Sequence, residues 1–171
     1  ERCRARGIAV AEAHAVAYGQ MVPFQPVLEL MRSFFGISEK DDDRETRRKI
    51  AGTLVLLEES LKDSLPGVVE LVRRVTGGPG GQEQAFREAL PLLFDFLGVP
   101  DPERPAPRMD PEARRRQLFT GKKRLAHART RNKPAIVLLE DLHWLDGGSE
   151  SFLAHLVDAM PGSRLLLVVN F

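Results

Sequence analysis

The chain has 171 residues, of which 43% are hydrophobic and 29% charged, a composition typical of a globular domain. Its 25 basic and 24 acidic side chains leave a formal net charge of +1, which gives no support for binding to nucleic acid or to a membrane surface. A single cysteine excludes an internal disulfide framework, and no apolar run approaches the roughly 20 residues of a membrane span. We therefore expect a cytoplasmic protein.

A short apolar run near the start of the chain, Ile8 to Ala13, is typical of a strand buried in a parallel sheet. Residues 1–5 are expected to end a preceding helix, with Gly7 in its C-cap region. The first residue is Glu1 rather than Met, and the last residues form an apolar strand. We therefore interpret the chain as a fragment of a longer protein.

The middle of the chain has apolar residues at helical spacing. The predicted helices run from Pro23 to Phe35, Arg44 to Leu61, Leu65 to Val75 and Gln84 to Leu97. Residues 99–111 contain five prolines and are expected to be an extended connector. Asp110 is a suitable N-cap for a basic helix that begins with Pro111 and reaches about Arg131.

The last part of the chain has a different character. An apolar strand, Pro134 to Leu139, is followed by a helix from Ser149 to Met160 and by a second apolar strand from Arg164 to Val169. Because a strand, a short helix and a strand in sequence form a βαβ unit, the two strands should be parallel neighbours. The predicted fold class is α/β.

Two acidic residues, Glu140 and Asp141, directly follow the first of these strands. The carboxyl ends of parallel strands are where open α/β sheets bind ligands. Adjacent carboxylates repel each other unless a cation or hydrogen-bond donors compensate them, and Mg²⁺ does this in nucleotide sites through water and phosphate oxygens. Glu140 would then hold the water shell of the metal, and Asp141 would orient or deprotonate the attacking water. The alternative is that the acids cap the next helix or face solvent.

The string LLEDLHWLDGGS, from Leu138 to Ser149, resembles the Walker B segment of STAND ATPases, a class within the AAA+ relatives. More narrowly, it resembles the ATPase module attached to class III adenylate or guanylate cyclases or to helix-turn-helix regulators in bacteria. Tyr18-Gly19 and the run from Pro23 to Leu30 are similar to the region after the Walker A helix in the cyclase-linked members. The final LLLVVNF resembles their next strand.

The resemblance implies a partial P-loop parallel sheet with a helical insertion between the second strand of the family fold and the Walker B strand. Residues 1–22 would be the strand and loop after the Walker A helix, and residues 23–131 the mainly helical insertion. Residues 134–171 would be the Walker B strand, a helix and the sensor strand. No Gly-x-x-x-x-Gly-Lys-Ser/Thr motif occurs in the sequence. The phosphate-binding loop is therefore expected upstream of Glu1.

The function implied by the resemblance is a regulatory module that binds and hydrolyses ATP, with Mg²⁺, inside a multidomain signal-transduction protein. Its partners would be ATP and other domains of the same chain, such as a cyclase, a TPR-like domain or a helix-turn-helix domain. Neither nucleic acid nor a membrane is an expected partner, and the segment alone is expected to be inactive. The four histidines show no metal-ligand spacing with the single cysteine, so no zinc site is predicted. A non-catalytic helical scaffold with a vestigial nucleotide site is the alternative function.

The resemblance also implies that His143 and Asn170 contribute to the nucleotide site. His143, with Trp144, would shape the loop on the nucleotide side, and Asn170 would be a polar sensor of the γ-phosphate. In the alternative, Trp144 is a core aromatic, His143 bonds locally, and Asn170 only ends its strand at a turn. Asp146 and Ser149 are predicted to organise the start of the following helix.

Overall fold

A computed structural model of the protein describes residues 2–17, 23–62, 90–120, 130 and 133–171. The chain forms two compact units, one made of residues 1–38 and 122–171 and the other of residues 39–121. In the ranges that the structure describes, no helix is both long enough and apolar enough to cross a membrane. The predicted helix at 65–75, the loop at 18–20 and the start of the helix predicted from residue 84 lie outside the described residues.

The first unit contains a three-stranded parallel sheet. Its strands are β1 (Ala9–His14), β2 (Ala135–Glu140) and β3 (Leu165–Val169), in the order β1-β2-β3. Every strand begins within one residue of its predicted start, because each is a short apolar run bounded by polar or turn residues. The α/β fold class and the parallel pairing predicted from the βαβ pattern are confirmed.

Two helices of this unit precede the long segment between β1 and β2. The short helix α1 (Arg2–Ala5) ends before Gly7, whose φ of 71° is the left-handed conformation expected near a C-cap. Helix α2 (Gln25–Phe35) has proline in its first turn and ends at Gly36, also left-handed, whose N–H donates to the carbonyls of Arg32 and Ser33. The helix ends at Phe35 as predicted but begins at Gln25, two residues after the predicted start at Pro23, because Phe24 is left-handed.

The apolar face of α2 lies against β1 and against the helix that follows β2. Val27, Leu30 and Phe35 are at most 7% exposed and share this core with Leu139 of β2 and Phe152. Full burial of a side chain of this size stabilises the folded state by about 1.5–3 kcal/mol. The core therefore fixes α2 beside the sheet, on the side of β1.

The second unit is helical in its described part. Helix α3 (Asp43–Lys62) begins as predicted after an acidic turn, in which Asp42 Oδ1 accepts the backbone N–H of Glu45 at 2.7 Å. One face of α3 is buried through Ile50, Leu54 and Leu57, in agreement with the predicted apolar stripe. Residues 90–96 are also helical.

The proline-rich connector that follows contains no helix or strand, as predicted, but it is not extended throughout, because Arg104 and Glu103 donate backbone N–H groups to Asp101 in a turn. Arg47 of α3 donates to the carbonyls of Val99 and Pro100, the second at 2.9 Å. Helix α4 (Pro111–Thr120) then begins at its predicted proline, and Asp110 Oδ1 accepts backbone N–H groups from its first turn at 3.0 and 2.9 Å. The described helices between β1 and β2 agree with the predicted helical insertion between these two strands.

Candidate functional site at the carboxyl edge of the sheet

The three parallel strands end at one edge of the sheet. His14, the last residue of β1, is in register with Glu140, the last residue of β2. Beyond the strands, Ala15 donates its N–H to the Glu140 carbonyl at 3.0 Å, and Asn170 donates to the Leu139 carbonyl at 2.9 Å. The edge is therefore held by backbone hydrogen bonds on both sides of β2.

Glu140 is half-buried in the middle of this edge. Its Oε2 lies 2.9 Å from Nε2 of His14, and its side chain is 37% exposed. Among the described residues, this is the side-chain contact that Glu140 makes, so Oε1 remains available to water or to a ligand.

Asp141 follows in the left-handed conformation, with φ 58° and ψ 46°. Aspartate tolerates this region better than most residues, and such conformations concentrate at functional sites. The reversal ends β2 and opens a short 3₁₀ helix, Leu142–Trp144, whose first N–H donates to the Asn170 carbonyl at 2.9 Å. The Asp141 carboxylate is exposed and makes no side-chain hydrogen bond with the described part of the chain. It does not cap the 3₁₀ helix, which removes one of the alternatives for this acid.

His143 and Trp144 form an exposed aromatic pair beside the acids. Their ring centroids are 4.9 Å apart, with the planes inclined at 48°. Trp144 is 39% exposed, so the alternative in which it is a core aromatic is wrong. Both rings are presented to solvent on the loop that follows the carboxylates.

Asp146 organises the start of the next helix, α5 (Gly147–Ala159), as predicted. Its Oδ1 accepts the N–H groups of Gly148 and Ser149 at 2.9 and 3.0 Å, and its Oδ2 accepts the Ser149 hydroxyl. The same Oδ2 accepts the backbone N–H of Phe24 at 3.1 Å. One carboxylate therefore ties the residue before α2 to the first turn of α5.

Two effects act on the pKa of the Asp146 carboxyl. Partial burial disfavours the charged form and would raise the pKa, but the hydrogen bonds from Ser149, Phe24 and Gly148 favour it. Together the hydrogen bonds outweigh burial, and the pKa is lowered from its ordinary value. Asp146 is therefore an ionised structural cap at neutral pH.

The contact between Phe24 and α5 is close. Phe24 is left-handed, with φ 66°, an uncommon conformation for a bulky residue. A Cβ atom at Gly148 would lie 2.6 Å from Cζ of its ring, so only glycine fits under the ring as it stands. The sequence alone had indicated neither this contact nor the conformation of Phe24.

Asn170 lies at the same edge, directly after β3. Its backbone N–H and carbonyl bond to Leu139 and Leu142, which brings it next to the end of β2. Its side chain is exposed and makes no hydrogen bond within the described ranges. Four sequence-predicted site residues, Glu140, Asp141, His143 and Asn170, thus lie together at one edge of the sheet.

His14 is the residue of this edge that the sequence reasoning missed. The search for metal-ligand spacing considered histidines along the chain, whereas His14 meets Glu140 across 126 positions through the strand register. The available signal was its place directly after the largely apolar run that forms β1, since parallel strands end at a common edge.

An apolar cavity of about 140 Å³ lies elsewhere in this unit. It is lined by the first residues of the strands, including Val10, Ile136 and Leu165, and by Leu30 and Phe152. Because these residues are at the amino ends of parallel strands, the cavity is at the opposite edge from Glu140 and Asp141. It is not the site of the predicted chemistry.

The donor set at the carboxyl edge fits Mg²⁺ in one particular way. Glu140 and Asp141 supply carboxylate oxygens, the hard ligands that Mg²⁺ prefers. In the described residues, no group of three acidic, histidine or cysteine side chains is placed to hold a metal ion without other ligands. Mg²⁺ in nucleotide sites is bound through one or two carboxylates together with water and phosphate oxygens. The edge therefore matches a metal held jointly with a nucleotide and not a dedicated protein cage.

Comparison with known proteins identifies the family of the chain. A family model described as the AAA ATPase domain matches residues 1–169. No curated protein and no solved structure gives a match to the chain. The match covers both units, including residues 38–110, which contribute little to the resemblance seen in the sequence.

Proposed function

The chain belongs to the AAA ATPase domain family, and from this premise we propose that it supplies the acidic half of an ATP site. The observation that carries the proposal is the position of Glu140 and Asp141 at the carboxyl end of the middle strand, each with oxygen atoms that no described residue engages. Two adjacent carboxylates with accessible oxygen atoms are hard ligands of the kind that a hydrated Mg²⁺ prefers.

In the proposed site, Glu140 would bind the water shell of Mg²⁺ through Oε1. The bound metal would neutralise charge on the phosphate oxygens. Asp141 would accept a proton from the attacking water or orient that water, since its carboxylate is exposed and turned out of the strand by the left-handed backbone. The backbone hydrogen bonds around Leu139 and Asn170 would keep both acids in place during turnover.

Two further residues would complete this half of the site. His143, paired with the exposed ring of Trp144, would line the nucleotide-side loop, and Asn170 would contact the γ-phosphate through its exposed amide. The resemblance to AAA+ ATPases supports both roles, and the common edge of the sheet supports their proximity. The Asn170 side chain is not required to hold the fold, because the described contacts of this residue are made by its backbone.

The wider role that we propose is a regulatory module of the STAND type in a multidomain signal-transduction protein. The phosphate-binding loop would be contributed by sequence outside residues 1–171, and neighbouring cyclase, TPR-like or helix-turn-helix domains of the same chain would respond to the nucleotide state. The LLEDLHWLDGGS string supports this assignment. A cytoplasmic location is part of the same proposal.

The test is ATP binding and turnover by the full-length protein with single substitutions in the acidic pair. Asp141→Asn should retain ATP binding and lower kcat by about 10²–10⁴-fold, the range for loss of a general base. Glu140→Gln should abolish most of the gain in ATP affinity that Mg²⁺ produces. Matched controls are Asp158→Asn and Glu150→Gln, exposed residues of α5 with no described side-chain contact.

The competing function, a helical scaffold with a vestigial nucleotide site, predicts a different result. In that case ATP affinity and hydrolysis would be the same in the parent protein, in both acidic variants and in both controls. That outcome would remove the catalytic and metal-binding assignments of Glu140 and Asp141.

A further inference from the structure

The closest described contact to the acidic pair comes from β1. Nε2 of His14 lies 2.9 Å from Oε2 of Glu140, a hydrogen-bond distance. Because an ionised carboxylate only accepts hydrogen bonds, Nε2 must carry the hydrogen. The contact engages one of the two oxygens of Glu140 and leaves the other free.

His14 is itself held by α2. Its backbone N–H donates to Oε2 of Glu29 at 3.0 Å, and its Nδ1 lies 3.8 Å from the same oxygen. Oε1 of Glu29 accepts a longer hydrogen bond, 3.4 Å, from the side-chain amide of Gln25. The chain of contacts therefore runs from the first turns of α2 through Glu29 and His14 to Glu140.

We infer that His14 is a positioning residue, which orients the Glu140 carboxylate so that Oε1 faces the metal-bound water. The inference rests on the proposed function, because it assigns His14 a purpose only if Glu140 serves an Mg²⁺–ATP site. Glu140 has three rotatable side-chain bonds and is partly exposed, so without a partner its carboxylate would occupy several orientations. The imidazole selects one of them before the nucleotide arrives.

The exposure of the pair separates this role from a structural one. The His14 side chain is 53% exposed and that of Glu140 37%, and exposed pairs of this kind contribute little to folding. Partners that orient a metal-binding group, in contrast, typically change metal affinity or activity by about 10–100-fold when they are removed. Loss of the His14 imidazole should therefore alter the response to Mg²⁺ and leave thermal stability nearly unchanged.

The experiment measures ATP affinity by calorimetry in the full-length protein, with Mg²⁺ and with EDTA, in an Asp141→Asn background that suppresses turnover. The quantity compared is the ratio of the two affinities. His14→Phe should reduce this ratio about 10-fold, and His14→Gln, which restores a side-chain N–H donor, should recover most of it. His155→Phe, on the exposed side of α5, is the matched control and should leave the ratio unchanged.

A double-substitution cycle identifies the group through which His14 acts. In a Glu140→Gln background, His14→Phe should have no further effect on the ratio, because the oriented carboxylate is already gone. An unchanged ratio in His14→Phe would overturn the inference while the effect of Glu140→Gln still upheld the Mg²⁺–ATP site. If Glu140→Gln itself left the ratio unchanged, the proposed function would fail first. A loss in His14→Phe that matched a fall in melting temperature, with no recovery in His14→Gln, would assign His14 a structural role instead.

Discussion

Gly147 and Gly148 are adjacent in the first turn of α5, yet the structure predicts opposite effects for alanine at the two positions. A Cβ atom at Gly147 would meet no heavy atom within 4 Å, whereas at Gly148 it would lie 2.6 Å from Cζ and 2.8 Å from Cε1 of Phe24. Real Cβ atoms do not approach other atoms so closely, so the ring or the helix must move. Rotation of the ring alone would not remove the crowding, because the Cβ atom would also lie 2.9 Å from Oδ1 of Asp146, the atom that caps the helix.

The magnitudes follow from two competing effects. Replacing glycine by alanine in a compatible helical position stabilises a protein by about 0.4–1 kcal/mol, mainly by restricting the unfolded chain. Forcing extra volume into a packed contact costs about 1–3 kcal/mol. We therefore expect Gly147→Ala to be neutral or stabilising by up to about 1 kcal/mol, and Gly148→Ala to be destabilising by about 1–2 kcal/mol net.

Urea unfolding of the two variants, together with hydrogen exchange of the α5 amides, measures the difference. A Phe24→Leu substitution in the Gly148→Ala background provides the internal check, because a smaller side chain removes the contact with the ring and leaves only the 2.9 Å approach to Oδ1 of Asp146. It should recover stability relative to the sum of the single effects, which a double-mutant cycle reports as coupling between the two positions. Equal stability of Gly147→Ala and Gly148→Ala would refute the close approach of the ring.

Three further results are expected. Asp146→Ala removes both a helix cap and the hydrogen bond to the Phe24 N–H, so it should destabilise α5 by about 2 kcal/mol. The control Asp110→Ala removes only a cap and should destabilise α4 by about 1 kcal/mol. Equal losses of hydrogen-exchange protection in the two helices would show that the bond to Phe24 contributes nothing. Because folding lowers the pKa of Asp146, the ionised carboxylate contributes fully to the free energy of unfolding above the ordinary carboxyl pKa of about 3.9. This contribution is lost as the pH falls through the lower pKa of the folded state. The stability difference between the parent protein and Asp146→Ala should therefore narrow only below about pH 4, and a difference constant to about pH 2 would contradict the assignment. Thr130→Val should lower the free energy of unfolding by about 1–3 kcal/mol, because the Arg164 N–H, 3.1 Å from Thr130 Oγ1, loses its acceptor. Thr130→Ser keeps a hydroxyl and should retain most of the stability measured by urea unfolding.

Local signals in the sequence were sufficient for the strands and for most helix ends. The apolar run that became β2 has no charge until Glu140, and α5 begins where Asp146 offers a carboxylate to the next turn. Gly36 ends α2 for an equally local reason, since only the left-handed conformation satisfies the final carbonyls. In each case the deciding interaction is made within a few residues.

Other features depended on contacts between distant parts of the chain. His14 meets Glu140 only because two strands pair in one register, and a shift of a single residue would move the imidazole to the other face of the sheet. The left-handed Phe24 is held by Asp146 from beyond the long insertion, so nothing in its own neighbourhood predicts its conformation. The exposed position of Trp144 likewise depends on the reversal at Asp141, which local sequence allows but does not require.

The side of β3 that faces away from β2 bears on the tendency of the protein to aggregate. Within the described residues, β3 pairs with β2 alone, and its sequence LLLVV contains no charge, proline or glycine to discourage another strand from pairing. Leu166, Val168 and Val169 are at least 38% exposed. An uncharged, apolar strand whose outer N–H and C=O groups are open to pairing is a template for aggregation until another strand covers it. Any strand that pairs with β3 would therefore also protect the sheet from self-association.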